Sequence, residues 1–237
     1  DKIERVEEVS SEAPKINLRF EVEKQSGKTV SELKDVKKAF GDKVILNNSS
    51  IEILRGDKIA LIGANGRGKS TMLRIIAGTE PVEGLSKIGH NVIPSFYAQH
   101  QLESLNVNNT LLEELASFAQ DKKEVELRTV LGCFLFTGDD VHKKIRVLSG
   151  GEKARVALAK TLISKSNFLL LDEPTNHLDM NSISILIQAL QNYEGSFIVV
   201  SHDRYFVSQI ANKIWWIEDQ VIREYPGTYE EYNWWVE

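Results

Sequence analysis

The stretch Gly63-Ala64-Asn65-Gly66-Arg67-Gly68-Lys69-Ser70 fits the pattern G-x-x-x-x-G-K-[ST] of a phosphate-binding loop. An apolar run at 58–62 precedes it and predicts a buried strand, and residues 71–77 after it are consistent with a helix. In that context the glycines allow a tight turn whose backbone N–H groups converge on an anion, and the start of the helix adds partial positive charge. A glycine-rich turn without a ligand is the alternative, but it rarely carries the whole pattern. The stretch therefore predicts that the chain binds a nucleoside triphosphate.

Lys69 and Ser70 supply the side chains that this kind of loop uses. Lys69 is expected to reach the β- and γ-phosphates, and the Ser70 hydroxyl is expected to ligate Mg²⁺. The run Leu169-Leu170-Leu171-Asp172-Glu173 predicts a buried strand that delivers carboxylates to the carboxyl edge of a sheet, where open α/β folds bind ligands. We expect Asp172 to hold Mg²⁺ through a coordinated water and Glu173 to polarise the water that attacks the γ-phosphate. Many surface loops begin Asp-Glu after a strand, so this assignment depends on the phosphate loop.

A third motif, Leu148-Ser149-Gly150-Gly151-Glu152, precedes a helical pattern. Its structural interpretation is a capping box, in which Ser149 and Glu152 satisfy each other's backbone N–H groups. The two glycines in the first turn, however, cost about 1 kcal/mol each relative to alanine. Close approach of the backbone to an anionic ligand would explain that cost. We favour this second interpretation because the other two motifs accompany it.

Length, charge and cysteine content narrow the class of protein. The 237 residues are enough for one large domain or two tightly joined subdomains with a sizeable core. The single cysteine, Cys133, excludes an internal disulfide and suggests a reducing compartment. A net charge of −5 argues against broad attraction to nucleic acid, so any such contact needs a local basic patch. No apolar run approaches the roughly 18 residues that span a bilayer and no secretory signal is visible, so we expect a cytoplasmic protein without a transmembrane segment.

The hydrophobic pattern divides the chain into strand-rich and helical parts. Alternation at 16–22 and apolar positions through 30–62 predict strands. From about 110 to 165 the pattern is helical. Uninterrupted apolar runs, which are typical of strands buried on both faces, then return at 168–171 and 197–200. The predicted fold class is α/β, with a mainly parallel sheet, an antiparallel strand-rich N-terminal part and an inserted helical subdomain.

These motifs, with His202 after the run at 197–200, resemble the nucleotide-binding domain of an ATP-binding-cassette (ABC) protein over about residues 30 to 225. The resemblance implies a P-loop NTPase fold of the ABC type and Mg²⁺-dependent hydrolysis of ATP to ADP and phosphate. It also implies that Gln99 senses Mg²⁺ and the γ-phosphate, that His202 contacts the γ-phosphate, and that Asp179 communicates across a dimer. Phe40 stands where an aromatic ring stacks on adenine, although a single aromatic residue could equally belong to the core. The implied ATP-binding residues are Phe40, Gly63, Ala64, Asn65, Gly66, Arg67, Gly68, Lys69, Ser70 and Thr71, with Ser70, Gln99 and Asp172 at the Mg²⁺ site.

Four longer stretches narrow the resemblance to the ABC-F subfamily. They lie at 96–101, 172–179, 201–206 and 225–232. ABC-F proteins have two cassettes joined by a long helical linker, lack a membrane domain, and mostly act on ribosomes. By this resemblance residues 1–14 are the end of the linker and 15–237 are the second cassette, with a core at 15–98 and 166–237 and a helical subdomain at about 99–165. The chain begins with Asp1 rather than Met, so we expect a piece cut from a longer protein.

The resemblance also implies a partner, because in an ABC cassette the signature Ser149, Gly150, Gly151 and Glu152 cannot reach its own phosphate loop. The signature is expected to cap ATP on a second cassette, either a second copy or the missing half of the same polypeptide. The favoured function is an ATPase that acts on the ribosome or its RNA, and the alternative is the ATPase subunit of a membrane ABC transporter. A third class is a nucleotide-dependent switch with negligible hydrolysis. The presence of Glu173, the expected base for the attacking water, argues against this class. The stretch 100–106 is charged and amide-rich, and does not predict the groove that a transporter subunit needs.

Overall fold

The computed structural model describes residues 22–236, except for the side chains of residues 99–101. The predicted linker end at 1–14 and residues 16–21 of the first predicted strand lie outside the described residues. The strands are β1 (Thr29–Phe40), β2 (Lys43–Leu54), β3 (Lys58–Ile62), β4 (Glu83–Ile88), β5 (Pro94–Tyr97), β6 (Phe168–Asp172), β7 (Ser196–Val200), β8 (Lys213–Glu218) and β9 (Val221–Tyr225). The helices are α1 (Lys69–Ile76), α2 (Leu111–Phe118), α3 (Glu124–Cys133), α4 (Gly150–Ile163), α5 (Met180–Gln191), α6 (Arg204–Ile210) and α7 (Tyr229–Val236). Short 3-10 segments lie at Gln99–Ser104, Gly138–His142 and Ile145–Val147.

Two sheets organise these elements. The larger has six strands in the order β5-β6-β7-β3-β8-β9, and its neighbours are parallel except for β8 and β9. The antiparallel β8–β9 pair turns at Asp219 and Gln220, whose φ angles of 48° and 63° suit a tight hairpin. The smaller sheet is antiparallel, with the order β2-β1-β4. The predicted combination of a mainly parallel sheet with an antiparallel N-terminal part is confirmed.

The central strands are buried on both faces, as their uninterrupted apolar runs predict. Alternate side chains of a strand point to opposite faces of the sheet. In β6, Phe168 and Leu170 pack with α1 and the antiparallel sheet, whereas Leu169 and Leu171 pack with the helices on the other face. Burying one such side chain contributes about 1.5–3 kcal/mol to the free energy of unfolding. These contacts hold β3, β6 and β7 side by side, so that the loops after their carboxyl ends emerge at one edge of the sheet.

Three helices and two 3-10 segments occupy the part of the chain that the pattern predicts to be helical. The helix α2 begins with a capping box, in which Glu113 N donates to Thr110 Oγ1 at 3.2 Å and Thr110 N donates to Glu113 Oε2 at 2.7 Å. The buried carboxylate of Glu114 accepts hydrogen bonds from Lys160 of α4 at 2.7 Å and from Asn109 at 2.9 Å. Because a buried charge needs such partners, this contact ties α2 to α4.

Candidate functional site

The loop between β3 and α1 contains the phosphate-loop pattern and lies at the carboxyl edge of the larger sheet. Gly66 and Gly68 have φ angles of 76° and 97°, in the left-handed region that favours glycine. A Cβ atom on Gly68 would also collide with Cγ2 of Ile45 in β2. Glycine at position 68 therefore lets the loop pack directly against the antiparallel sheet.

Lys69 is the first residue of α1 and is almost fully buried. Its Nζ donates to the carbonyl oxygens of Gly63 at 2.7 Å and Ala64 at 3.1 Å, and lies 3.3 Å from His202 Nε2. Burial lowers the pKa of Lys69 below its ordinary value, although two nearby carboxylates oppose this shift. The ammonium group is therefore fixed between the loop and the ends of β6 and β7.

Asp172, at the end of β6, meets the loop at Ser70. Ser70 Oγ donates to Asp172 Oδ1 at 3.1 Å. Both side chains offer the hard oxygen atoms that Mg²⁺ prefers, and protein Mg²⁺ sites usually add substrate phosphates and water to one or two carboxylates. Among the side chains that the structure describes, which do not include those of residues 99–101, no group of three or more His, Cys, Asp and Glu could hold a metal ion. The contact between Ser70 and Asp172 fits a Mg²⁺ ion that is held largely by phosphates and water.

Glu173 and His202 follow the neighbouring strands β6 and β7, and their side chains meet. His202 Nε2 lies 3.3 Å from Glu173 Oε1 and 2.7 Å from Asn65 Oδ1. Glu173 has a φ of 49°, which is uncommon for a residue other than glycine, and its N–H donates to Val200 O at 2.9 Å. Burial raises the pKa of Glu173 above its ordinary value, although His202 and Lys69 oppose the shift. A carboxylate with a raised pKa is a stronger base than one at the surface.

The side chains of Lys69, Ser70 and Glu173 border a cleft of about 330 Å³ between the loop and the antiparallel sheet. Asp172 and His202 contact these residues but do not line the cleft. Phe40, at the end of β1, lines the cleft with 47% of its surface exposed, so the alternative that Phe40 belongs to the core is wrong. The cleft thus joins an exposed aromatic ring to a buried ammonium and a carboxylate, as binding of a base and a phosphate chain requires. The other lining residues are Lys43, Ile45, Asn65, Gly66, Gly68, Lys69, Ser70, Thr71, Glu173 and Val200.

Some residues of the predicted binding set do not line this cleft. Gly63 and Ala64 contribute carbonyl oxygens to Lys69 instead. Arg67 borders a separate cavity of about 120 Å³ on the side of the β8–β9 turn. The side chain of Gln99, predicted to sense Mg²⁺ and the γ-phosphate, lies outside the described residues. The role of Gln99 therefore stays a prediction.

The signature motif begins α4 with the predicted capping box. Ser149 N donates to Glu152 Oε2 at 2.8 Å, and Glu152 N donates to Ser149 Oγ at 3.3 Å. The hydrogen bond from the Ser149 backbone holds the pKa of Glu152 below its ordinary value. A Cβ atom on Gly151 would lie 2.8 Å from the His177 carbonyl oxygen, whereas one on Gly150 would meet nothing within 4 Å. Close packing therefore accounts for Gly151, and approach of a ligand remains the predicted explanation for Gly150.

We expect Gly150→Ala and Gly151→Ala to change stability in opposite directions. At position 150 a Cβ atom has free space, so alanine should raise the free energy of unfolding by up to about 1 kcal/mol through its helix propensity. At position 151 the Cβ atom must displace the His177 carbonyl, so the free energy of unfolding should fall by about 1–3 kcal/mol. Urea denaturation of both variants checks this, and equal effects would contradict the packing explanation.

The loop from Glu173 to Asp179 connects the cleft with the signature helix. Glu173 lines the cleft, and the carbonyl of His177 packs on Gly151. Asp179 caps α5, because Ser182 N donates to Asp179 Oδ1 at 2.7 Å, and this hydrogen bond lowers the pKa of Asp179. Neither Asp179 nor the signature residues 149–152 border the cleft.

Two features of the site are not predicted by the sequence. The Asn65 side chain contacts His202, and nothing in the local sequence of either residue indicates that contact. Tyr229, at the start of α7, borders a second cavity of about 240 Å³ together with Gly63, Ala64 and His202. The stretch that contains Tyr229 carried part of the family resemblance, but no site role was predicted for it.

A phosphate loop, strand-end carboxylates and a strand-end histidine at one edge of a mainly parallel sheet define a P-loop nucleotide-binding cassette. In the part of the chain that the structure describes, no helix combines the length and apolar character that crossing a bilayer needs. Comparisons with known proteins agree with the class. The model of the family described as "ABC transporter" matches residues 46–176.

Two curated relatives narrow the assignment. "ABC transporter F family member 5" of Arabidopsis thaliana is 42% identical over 219 residues, which are 92% of this chain and 32% of that protein. "ABC transporter F family member 2" of the same plant is 40% identical over 224 residues, which are 94% of this chain and 33% of that protein. The chain therefore spans about a third of the length of these relatives.

A solved structure supports the same fold. Its title is "Dimeric structure of a post-hydrolysis state of the ATP-binding cassette MJ0796 bound to ADP and Pi", and it is similar with a TM-score of 0.68 and 25% identity, covering 83% of this chain and 98% of that one. The chain belongs to the ABC family, and within it to the ABC-F subfamily. The predicted P-loop NTPase fold of the ABC type is confirmed.

Proposed function

We propose that this chain is the ATP-hydrolysing cassette of an ABC-F protein that acts on the ribosome in translation. The observation that carries the hydrolytic part is the meeting of Glu173 and His202 beside Lys69 at the cleft. Transfer of a phosphoryl group to water needs a base for the water, a polar contact for the γ-phosphate and positive charge for the phosphates. Membership of the ABC-F subfamily supports the ribosomal part.

The cleft accommodates ATP in one orientation. The base would stack on Phe40, and the phosphates would reach Lys69 and the backbone of the loop up to Thr71. Ser70 and Asp172 would hold Mg²⁺, which neutralises charge on the β- and γ-phosphates when it is bound. Phe40 recognises a purine by stacking alone, so GTP should bind nearly as well as ATP.

Hydrolysis would proceed by attack of water on the γ-phosphorus. Glu173 accepts a proton from the water as its oxygen bonds to phosphorus, and the bond from phosphorus to the bridging oxygen breaks to release ADP. His202 steadies the γ-phosphate, and Gln99 completes this pocket. The raised pKa of Glu173, caused by its burial, suits the residue to the role of base.

We further propose that a complete ATP site is shared between two cassettes. The signature residues 149–152 do not border the cleft of their own chain, so they are free to cap ATP on a partner. The similar cassette of known structure is described as dimeric. Asp179, in the loop that joins the cleft to the signature helix, would pass the state of one site to the other. The proposed arrangement of the chain is a linker end at 1–14 and a cassette at 15–237, with the helical subdomain at about 99–165, in the cytoplasm.

Binding to ribosomes is the expected behaviour of the full-length protein that contains this cassette. Sedimentation through sucrose with ribosomes should recover it in the ribosome fraction with Mg-ATP, and most completely when Glu173→Gln blocks hydrolysis. With ADP the recovered fraction should fall. Recovery in a membrane complex instead, without ribosomes, would favour the transporter-subunit alternative.

A further inference from the structure

A line of charged side chains links α1 to β1 beside the cleft. Arg74, in the last turn of α1, lies 3.6 Å through Nε from Glu80 Oε2. Glu80 Oε1 in turn lies 2.6 Å from Lys38 Nζ of β1. Lys38 Nζ also donates to the carbonyl oxygen of Pro81 at 2.7 Å and lies 4.8 Å from the centroid of the Phe40 ring. The ammonium of Lys38 is thus fixed by an anion, a carbonyl and an aromatic face.

Each end of this line contacts a residue that lines the cleft. At one end Arg74 Nη2 donates to Thr71 Oγ1 at 3.3 Å, and at the other end Lys38 covers Phe40. Thr71 and Phe40 both line the cleft, Thr71 in the first turn of α1 after the phosphate loop and Phe40 at the antiparallel sheet. The line therefore connects the part of the cleft that meets phosphate with the part that meets the base.

The central pair is only partly exposed to solvent. The side chains of Lys38 and Glu80 are only 12% and 18% exposed. An ion pair in such a place is screened less than one at the surface, and its geometry is better defined than that of an exposed pair. Phe40, by contrast, is 47% exposed, and the core does not hold its ring in place.

We propose that Lys38 is a positioning residue of the base site, which holds Phe40 at a set place relative to the phosphate-binding helix and leaves one ring face for the purine. Phe40 lines the cleft and Lys38 does not, so in this proposal the ammonium covers the ring face turned away from the cleft through a cation–π contact, and a base stacks on the other face. The contact with Glu80, and through it with Arg74, ties the ring to α1. This inference rests on the proposed stacking of the base on Phe40.

Calorimetric titration with three ligands tests the proposal. Mg-ATP and Mg-GTP use both the base site and the phosphate loop, whereas magnesium tripolyphosphate uses the phosphate loop only. Lys38→Met should lower the affinity for both nucleotides by about two- to fivefold, which is the range of a cation–π contact. The affinity for tripolyphosphate should not change. Lys38→Arg keeps the charge and should restore most of the affinity. Lys37→Met, at the exposed neighbouring position of β1, is the matched control and should change none of the three.

The Phe40→Ala variant separates this inference from the proposed function. It should lower the affinity for both nucleotides by about fivefold or more, as loss of a base-stacking ring does. Adding Lys38→Met to Phe40→Ala should cause no further loss of affinity. Unchanged affinity in Phe40→Ala would overturn the base site itself and the inference with it. If Phe40→Ala loses nucleotide affinity as expected but Lys38→Met does not, the base site stands and only the positioning role of Lys38 is overturned.

A second variant controls for an effect of Lys38→Met on the fold, because that substitution removes the closer partner of the Glu80 carboxylate and leaves only Arg74 at 3.6 Å. The double variant Lys38→Met/Glu80→Gln removes both charges and avoids that cost. It should show the same selective loss for the nucleotides, with tripolyphosphate binding retained. An equal loss for all three ligands in this double variant would show a general structural role and overturn the proposal.

Discussion

Glu173→Gln is expected to lower the rate of ATP hydrolysis by about 10²–10⁴ while ATP binding survives, which is the range that loss of a general base produces. Glutamine keeps the shape of the side chain and can still contact His202, but it cannot accept a proton from water. Lys69, Ser70 and Asp172 are untouched, so the predicted phosphate and Mg²⁺ contacts remain. The loss should therefore fall on turnover and not on affinity.

Phosphate release at saturating Mg-ATP, with affinity measured separately by equilibrium titration, checks this expectation. Glu194→Gln, at an exposed position of the α5–β7 connection, is the matched control and should hydrolyse ATP at the original rate. A Glu173→Gln variant that hydrolyses ATP as fast as the original chain would remove Glu173 from the role of base. It would then favour water activation by the phosphate itself or by His202.

The parts of the fold and site that could be predicted from the sequence depend on short-range spacing. The pattern from Gly63 to Ser70 predicts its own strand, loop and helix because each glycine and the lysine act within a few residues of one another. The Ser149–Glu152 capping box is likewise a contact between residues three apart. The uninterrupted runs in β6 and β7 predict burial on both faces because a strand repeats every two residues.

What could not be predicted depends on contacts between distant parts of the chain. The two glycines of the signature look equivalent in sequence, but only Gly151 lies under the carbonyl of His177. The sequence alone allows Phe40 to lie in the core or at the cleft, and only the packing of β1 beside the phosphate loop places it at the cleft. The ion pair of Lys38 with Glu80 joins a strand to the loop after α1, and no periodicity in either segment indicates it.

Mg-ATP is expected to convert the Glu173→Gln variant from monomer to dimer. Binding without hydrolysis keeps ATP between the phosphate loop of one cassette and the Ser149-Gly150-Gly151 segment of the other. A ligand that binds only the closed pair stabilises that pair by mass action. Size-exclusion chromatography with Mg-ATP should therefore show a large shift toward the dimer, and the shift should be absent with ADP or without nucleotide.

Two substitutions at Ser149 separate the shared site from the stability of the signature helix. Ser149→Ala removes the hydroxyl that caps Glu152 N, at a cost of about 1 kcal/mol, but adds no bulk, so the dimer should still form, though less completely. Ser149→Arg, added to Glu173→Gln, places a long side chain where the γ-phosphate on the partner must dock and should abolish the shift. ATP binding to the monomer should persist in both, because residues 149–152 do not border the cleft. A dimer that survives Ser149→Arg, or that forms equally well without nucleotide, would mean that two copies of this chain do not share their ATP sites.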